Sequence, residues 1–189
     1  MQIKNLSMSV LLLVSCALRA EVTESLSYKF YPVSHTAGSS LIQAVNAASP
    51  IRAGEKKYHG NTKWEVHWKY LYDQSSARNC KVKSVSVALS AVITLPELHS
   101  NDVAAIRQFN QYLPALKRHE LGHLQTGQDA ARRIEKSLLQ YPAQATCEQL
   151  GVALNQRGNA LLAEAALLDR AYDEQTQHGK TQGADLTGR

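Results

Sequence analysis

The sequence contains no long run of lysine and arginine, no internal repeat and no low-complexity segment. Its 21 basic residues are interspersed with 16 acidic ones, so the net charge of +5 is not concentrated in the clusters that bind nucleic acid. We therefore expect no nucleic-acid partner. At 189 residues and 44% hydrophobic content, the chain can bury one sizeable core but is short for two. We expect a single folded domain.

The chain also has no apolar segment long enough to cross a bilayer, although its first twenty residues resemble an export signal. Lys4 supplies the positive start and residues 10–14 supply a short apolar centre. The Leu-Val-Ser-Cys sequence ending at Cys16 resembles a lipoprotein box, whereas Ala17 or Ala20 can precede an ordinary signal-peptidase cut. Both interpretations predict a periplasmic or secreted protein. The first adds a lipid anchor at Cys16, which is the only membrane attachment that we expect.

Cysteine is scarce, with three residues in the whole chain. Cys16 is lost or modified in either interpretation of the signal, which leaves Cys80 and Cys147 in an oxidising compartment. We expect these two to form a disulfide, and closing a loop of that size would stabilise the fold by about 4 kcal/mol. Neither lies at a close Cys/His spacing, so zinc ligation by a cysteine is not favoured.

Three segments alternate apolar and polar side chains with the period of half-buried strands. They are residues 26–31, 62–72 and 80–95. Pro32 ends the first strand or marks a sheet edge, and a phase shift near Lys83 and Ser84 predicts a bulge in the third. Residues 51–61 are mostly polar and contain two glycines, so they are interpreted as a loop. Three strands in this order predict a small, mainly antiparallel sheet.

Three other segments have apolar residues at helical spacing. They are residues 41–48, a long segment starting near Ser100 to Asp102, and residues 148–175. Pro114 is expected to break or kink the long segment. The prediction is an α+β domain over residues 21–179, with a small sheet packed against long helices. The polar tail at residues 180–189 is expected to be disordered.

The most specific feature is His119-Glu120-x-x-His123 within the first long helix. Residues four apart lie on the same helix face, so the two imidazoles can converge on one ion. Glu120 is placed where its carboxylate can reach a zinc-bound water. Both histidines fall near the apolar stripe that contains Leu116, and burying them unpaired is costly. The pattern predicts a zinc site, although three fixed positions also recur by chance on solvated helices.

A catalytic zinc usually has three protein ligands and one open position, so a further ligand is needed. Asp129 is one candidate, but on an unbroken helix a residue six beyond His123 points away from the ligand face. His178 is the better candidate, because it lies beside Gly179 at the end of the second long helix and can turn toward a neighbouring helix. A histidine there can also merely contact the last helical carbonyls.

These features together resemble the family of predicted secreted zinc-dependent bacterial proteases, catalogued as a domain of unknown function. The resemblance covers residues from about 24 to 179 and is specific at His119-Glu120-x-x-His123 and Tyr172-Asp173-x-x-Thr176-x-His178-Gly179. It implies a zincin-like fold, a Zn²⁺ cofactor and His178 as third ligand. Asp173 then orients a ligating histidine from behind or is an exposed carboxylate. Tyr172 donates to the developing oxyanion or packs in the core.

The resulting hypothesis is zinc-dependent hydrolysis of a peptide or protein substrate, with Glu120 as general base. We expect the substrate to lie extended along a sheet edge formed by the strand at residues 80–95. The alternative is a non-catalytic envelope protein with a structural zinc site or a helical surface for a partner, which a closed four-ligand site would favour. A third interpretation is that the histidines bind no metal.

Overall fold

The computed structural model describes residues 20–76 and 79–187, so the predicted export signal with Cys16 lies outside the described residues. The fold is α+β, as expected. No helix among the described residues is both long and apolar enough to cross a membrane. The elements, in chain order, are β1 (Ala20–Ser34), α1 (Leu41–Ala48), β2 (Ile51–Ala53), β3 (Lys56–Tyr58), β4 (Asn61–Ser76), β5 (Asn79–His99), α2 (Val103–Leu139), α3 (Cys147–Thr176) and a 3₁₀ helix (Lys180–Gln182).

The main sheet has the strand order β1-β5-β4 and is mixed, which corrects the prediction of a mainly antiparallel sheet. β4 and β5 follow each other directly and pair antiparallel. β1 pairs parallel with β5, because the chain passes through α1, β2, β3 and β4 before returning beside it. Over residues 85–94 both edges of β5 are paired, one with β1 and the other with β4. The expectation that a substrate lies along an edge of this strand is therefore wrong for these residues, and the outer strands of the sheet are β1 and β4.

The predicted bulge is confirmed in β5. Leu71 pairs with Ser84 and Tyr72 pairs with Val82, which leaves Lys83 between the two pairs. Pro32 lies within β1 on the sheet edge, where a missing ladder donor is tolerated.

Two local predictions are corrected where tertiary contacts override the local sequence signal. Of the two effects expected of Pro114, a break and a kink, the break is absent: the proline lies inside α2, and the buried face of the helix continues on both sides of it. The predicted loop at residues 51–61 contains the β2–β3 hairpin, with Gly54 in its turn at φ +60°. This hairpin forms one wall of the site described below.

Two clusters of buried residues form the core. In the first, β5 and Val66 of β4 pack against α2 and α3, and in the second, α1 and the end of β5 pack against the first half of α2. Gly158 lies where a side chain would overlap the Trp68 ring, which explains a glycine inside α3. The predicted disulfide is confirmed between Cys80 and Cys147, and it joins the start of β5 to the start of α3.

The C-terminal tail is folded through residue 187, contrary to the expectation of disorder. Ala184 and Leu186 are buried in the second core cluster. Gln108 of α2 also donates a hydrogen bond to the Leu186 carbonyl. These two apolar side chains hold the tail against the domain. The prediction of disorder was based on the mostly polar composition of the whole tail, in which two apolar residues have little weight.

Candidate metal centre

The two motif histidines converge on the inner face of α2. His119 and His123 are buried, with exposed fractions of 3% and 7%. Their rings are almost perpendicular, and the two Nε2 atoms are 3.2 Å apart. This is the arrangement that their four-residue spacing predicts.

Asp173 of α3 provides the third converging atom. Its Oδ1 lies 3.2 Å from Nε2 of His119 and 3.2 Å from Nε2 of His123. We expected this carboxylate to act from behind a ligand or to be exposed. Instead it meets both imidazoles directly, and these three residues form a cluster of potential ligand atoms that all lie within 4.8 Å of one another.

Hydrogen bonds on the outer side of each ring determine where its proton lies. His123 Nδ1 is 2.9 Å from Asp169 Oδ1, and His119 Nδ1 is 3.1 Å from Gln182 Oε1. The Gln182 amide is itself oriented because its Nε2 donates to the Tyr172 hydroxyl at 3.0 Å. Since both outer partners are acceptors, each neutral ring carries its proton on Nδ1 and directs the Nε2 lone pair toward the cluster.

These donors fit a metal ion. Three atoms with lone pairs, each 3.2 Å from the other two, repel one another unless a proton or a metal ion lies between them. Around a tetrahedral zinc with bonds of about 2.0 Å, neighbouring ligand atoms are roughly 3.3 Å apart. The spacing and the chemistry of the cluster formed by His119, His123 and Asp173, called the donor trio below, therefore suit zinc.

The ionisation of the two rings differs because their surroundings differ. Burial, and then the neighbouring His123, lower the pKa of His119, which keeps that ring neutral. Burial acts in the same direction on His123, but its hydrogen bond to Asp169 and the nearby carboxylates together raise its pKa. A proton on His123 would compete with a metal ion for the same lone pair.

His178, the ligand favoured from the sequence, lies one hydrogen bond away from the donor trio. Its Nδ1 is 3.1 Å from Asp173 Oδ1, and its side chain is 47% exposed. The ring also packs edge-on against Tyr58, with centroids 4.8 Å apart. Asp129, the other candidate, is exposed on α2 and forms an ion pair with Arg132. Asp129 has no contact with the site, because on an unbroken helix it points away from the face that carries the two histidines.

Glu120 is buried beside the donor trio, with 3% exposure. Its Oε2 accepts a hydrogen bond of 2.8 Å from the Thr62 hydroxyl at the start of β4. Burial raises the pKa of Glu120 to about 7, although the Thr62 hydrogen bond acts in the opposite direction. Gly60 faces the same carboxylate so closely that a side chain at this position would overlap it.

Tyr172 lies behind His119 rather than facing a substrate. The two rings stack with centroids 5.1 Å apart, and the tyrosine hydroxyl donates to the His119 carbonyl at 3.2 Å. A side chain at Gly122 would overlap this hydroxyl, so the glycine within the histidine motif makes room for Tyr172. Of the two roles expected for Tyr172, donation to an oxyanion and packing, these contacts favour packing, here against His119.

A cleft of about 1030 Å³ opens onto these residues. Its walls are the β2–β3 hairpin, the first residues of β4, the inner face of α2 and the C-terminal turn. Four residues near the site were not predicted from the sequence: Asp169, Gln182, Thr62 and Tyr58. Asp169 was detectable, because it lies four residues before Asp173 on the same helix face. The other three approach the site only through tertiary folding and have no local signal.

A protein-family model described as "Bacterial protein of unknown function (DUF922)" matches residues 28–179. The matched segment contains Glu120 and all three residues of the donor trio, and it nearly coincides with the segment expected from the resemblance. No curated protein and no solved structure matches the chain. The family description specifies no activity.

Proposed function

The chain belongs to this bacterial family of unknown function, and we propose that it is a zinc-dependent peptidase with a zincin-like fold. The observation that carries the proposal is the convergence of three metal-binding atoms within 3.2 Å of one another, beside a buried glutamate in an open cleft. The export signal predicted from the sequence would place this activity in the periplasm or outside the cell.

His119, His123 and Asp173 would hold the ion, and no fourth side chain among the described residues joins them. Zinc, when bound, would polarise the scissile carbonyl and lower the pKa of a water molecule. Three protein ligands and an accessible cleft favour a catalytic site over a closed structural one. Two histidines and a carboxylate also bind iron in oxygenases, but the adjacent Glu120 favours hydrolysis.

Glu120 is the proposed general base. Its carboxylate takes a proton from the attacking water and passes that proton to the leaving amine. Burial raises the pKa of this carboxyl group from its ordinary value, which favours proton uptake during the reaction. Thr62 holds the carboxylate in place through a hydrogen bond. Gly60 has no side chain and therefore leaves room for the carboxylate at this position.

His178 is the proposed donor to the developing oxyanion. Its Nδ1 is fixed by Asp173, and the residue lines the cleft. The other ring nitrogen has no hydrogen bond in the described part of the chain. Because the Asp173 carboxylate accepts the proton of Nδ1, this second nitrogen can donate to a substrate carbonyl oxygen when the ring is in its doubly protonated, imidazolium form. Tyr172 is a positioning residue that supports the ring of His119.

The test is a Glu120→Gln variant, with exposed Glu65→Gln on β4 as a matched control. We expect Glu120→Gln to bind one zinc per chain and to lower the turnover of a peptide library by about 10²- to 10⁴-fold, the usual contribution of a general base. The control should retain activity, and a chelator should abolish it. Full turnover by Glu120→Gln, or turnover that resists chelation in the wild type, would defeat the proposal.

A further inference from the structure

The β2–β3 hairpin forms one wall of the cleft that contains the candidate metal centre. Tyr58, its last residue, packs edge-on against His178, which is hydrogen-bonded to Asp173. The same hairpin carries Arg52 and Lys56, both exposed and both lining the cleft. A peptide bound in the cleft would therefore lie beside positively charged side chains.

Two positively charged side chains of the hairpin repel each other. Arg52 and Lys57 lie directly opposite each other in the strand pairing, and like charges in that position destabilise a hairpin. Lys57 donates to the Asn46 carbonyl at 2.8 Å, which occupies its ammonium group. Arg52 and Lys56 form no ion pair with the described residues, so their charge remains available to a ligand.

A third cation of the cleft lies in the C-terminal turn. Lys180 follows His178 by two residues, is exposed and lines the cleft. It too has no ion-pair partner within residues 20–76 and 79–187. Side chains alternate along a strand, so Lys56 is on the same face of β3 as Tyr58. Lys56 and Lys180 are thus each two residues from one of the two rings in the contact between Tyr58 and His178.

Most of the acidic groups in the cleft are already occupied. Asp169 and Asp173 are hydrogen-bonded to histidines, and Glu120 is buried against Thr62. Asp185 accepts two hydrogen bonds from Thr187. Glu55, next to the hairpin turn, is the remaining acidic residue of the lining. The cleft mouth therefore offers more free positive than negative charge.

We propose that Lys56 and Lys180 form a subsite for a carboxylate group of the peptide substrate, a specificity that rests on the proposed peptidase function. Arg52 is not part of it, because it pairs with Lys57 and so lies on the other face of the hairpin. Lys56 is two residues from Tyr58, roughly 7 Å along an extended strand. The recognised carboxylate can belong to an acidic side chain or to the C-terminus of the substrate, since both offer the same group.

The test measures peptide binding rather than cleavage. Zinc-loaded Glu120→Gln protein is titrated against fluorescently labelled peptides that carry Glu or Gln near their centre, each with a free or an amidated C-terminus, and anisotropy gives the Kd. We expect carboxylate-bearing peptides to bind roughly tenfold more tightly, because two exposed ion pairs each contribute a factor of about 1.5 to 5. The preference should weaken at high salt.

Charge-removing variants locate the subsite. Adding Lys56→Gln and Lys180→Gln should remove most of the difference between acidic and neutral peptides. Adding Lys69→Gln and Lys83→Gln, two exposed lysines outside the cleft, should leave that difference intact. Loss of tight binding on amidation assigns the carboxylate to the C-terminus, and loss on the Glu-to-Gln change assigns it to a side chain.

Two results overturn the proposal in distinguishable ways. Equal affinity for acidic and neutral peptides, or a preference that survives the Lys56→Gln and Lys180→Gln changes, refutes the carboxylate subsite while the peptidase function stands. Failure of every peptide to bind, together with failure of the wild type to cleave any of them, refutes the peptidase function and the subsite with it.

Discussion

Replacing Asp173 should remove the metal site, whereas replacing His178 should not. Asp173 Oδ1 lies 3.2 Å from both ligating nitrogens, while His178 reaches only Asp173 itself, at 3.1 Å. On this geometry Asp173→Asn removes a direct ligand charge. His178→Ala removes a group that acts from behind the ligands, and such changes cost about 10- to 100-fold in metal affinity.

The magnitudes separate the two residues. We expect His178→Ala to weaken zinc binding by at most about 100-fold, which corresponds to roughly 2.7 kcal/mol. Asp169→Asn, which removes the partner of His123, serves as a reference of the same class. Asp173→Asn should weaken zinc binding more than either of these two variants does. The near-isosteric substitution keeps the contact between α2 and α3, so loss of zinc should not reflect unfolding.

The assay is competition for zinc against a fluorescent chelator, accompanied by circular dichroism to verify folding. The order of affinities should be wild type, then His178→Ala and Asp169→Asn, then Asp173→Asn. If folded His178→Ala protein loses zinc while Asp173→Asn protein keeps it, His178 is the third ligand and the donor trio is wrong.

Three further predictions concern the surroundings of the site. Gly60→Ala should displace the Glu120 carboxylate and lower kcat by about tenfold or more with zinc still bound, because misplacing a catalytic group is costly. Replacing Cys80 and Cys147 with serine should reduce the free energy of unfolding by about 4 kcal/mol in urea titrations, since the disulfide closes a long loop. Burial lowers the pKa of His59, so the unfolded chain binds more protons and stability should fall as the pH drops from 6.5 through the lowered value. His59→Gln should reduce the difference in Tm between pH 8 and pH 5.

Each of these predictions has a clear contrary result. Unchanged kcat in Gly60→Ala would mean that Glu120 does not need its observed position. A loss of less than about 1 kcal/mol in the serine variant would mean that the disulfide does not constrain the unfolded chain as the entropy model requires. If His59→Gln keeps the acid sensitivity of the wild type, other groups cause it.

Local signals in the sequence predicted most of the helices and strands. The helix at residues 41–48, the bulge at Lys83 and the disulfide all follow from patterns that are local or compartment-specific. The parallel pairing of β1 could not be predicted, because it depends on whether the strand joins the β5 edge or the β4 edge of the antiparallel β4–β5 pair. Pro114 does not break α2 because the packing of the helix outweighs one lost hydrogen bond.

The candidate site was only partly predictable for a similar reason. The convergence of His119 and His123 follows from helix geometry alone. The choice between Asp173 and His178 depends on how the chain leaves α3, where Gln177, His178 and Gly179 all have positive φ. On a continued helix His178 would lie about 140° around the axis from Asp173, and with the left-handed turn its ring instead lies 3.1 Å from Asp173 Oδ1. No periodicity in the sequence encodes such a turn.

The most direct measurement is the anomalous diffraction of a crystal of the zinc-soaked protein at the zinc absorption edge. We expect a single strong peak for a zinc ion bonded to Nε2 of His119, Nε2 of His123 and Oδ1 of Asp173, at about 2.0 to 2.2 Å from each. A crystal with no peak between these atoms, or with a peak bonded to His178 in place of Asp173, would contradict it.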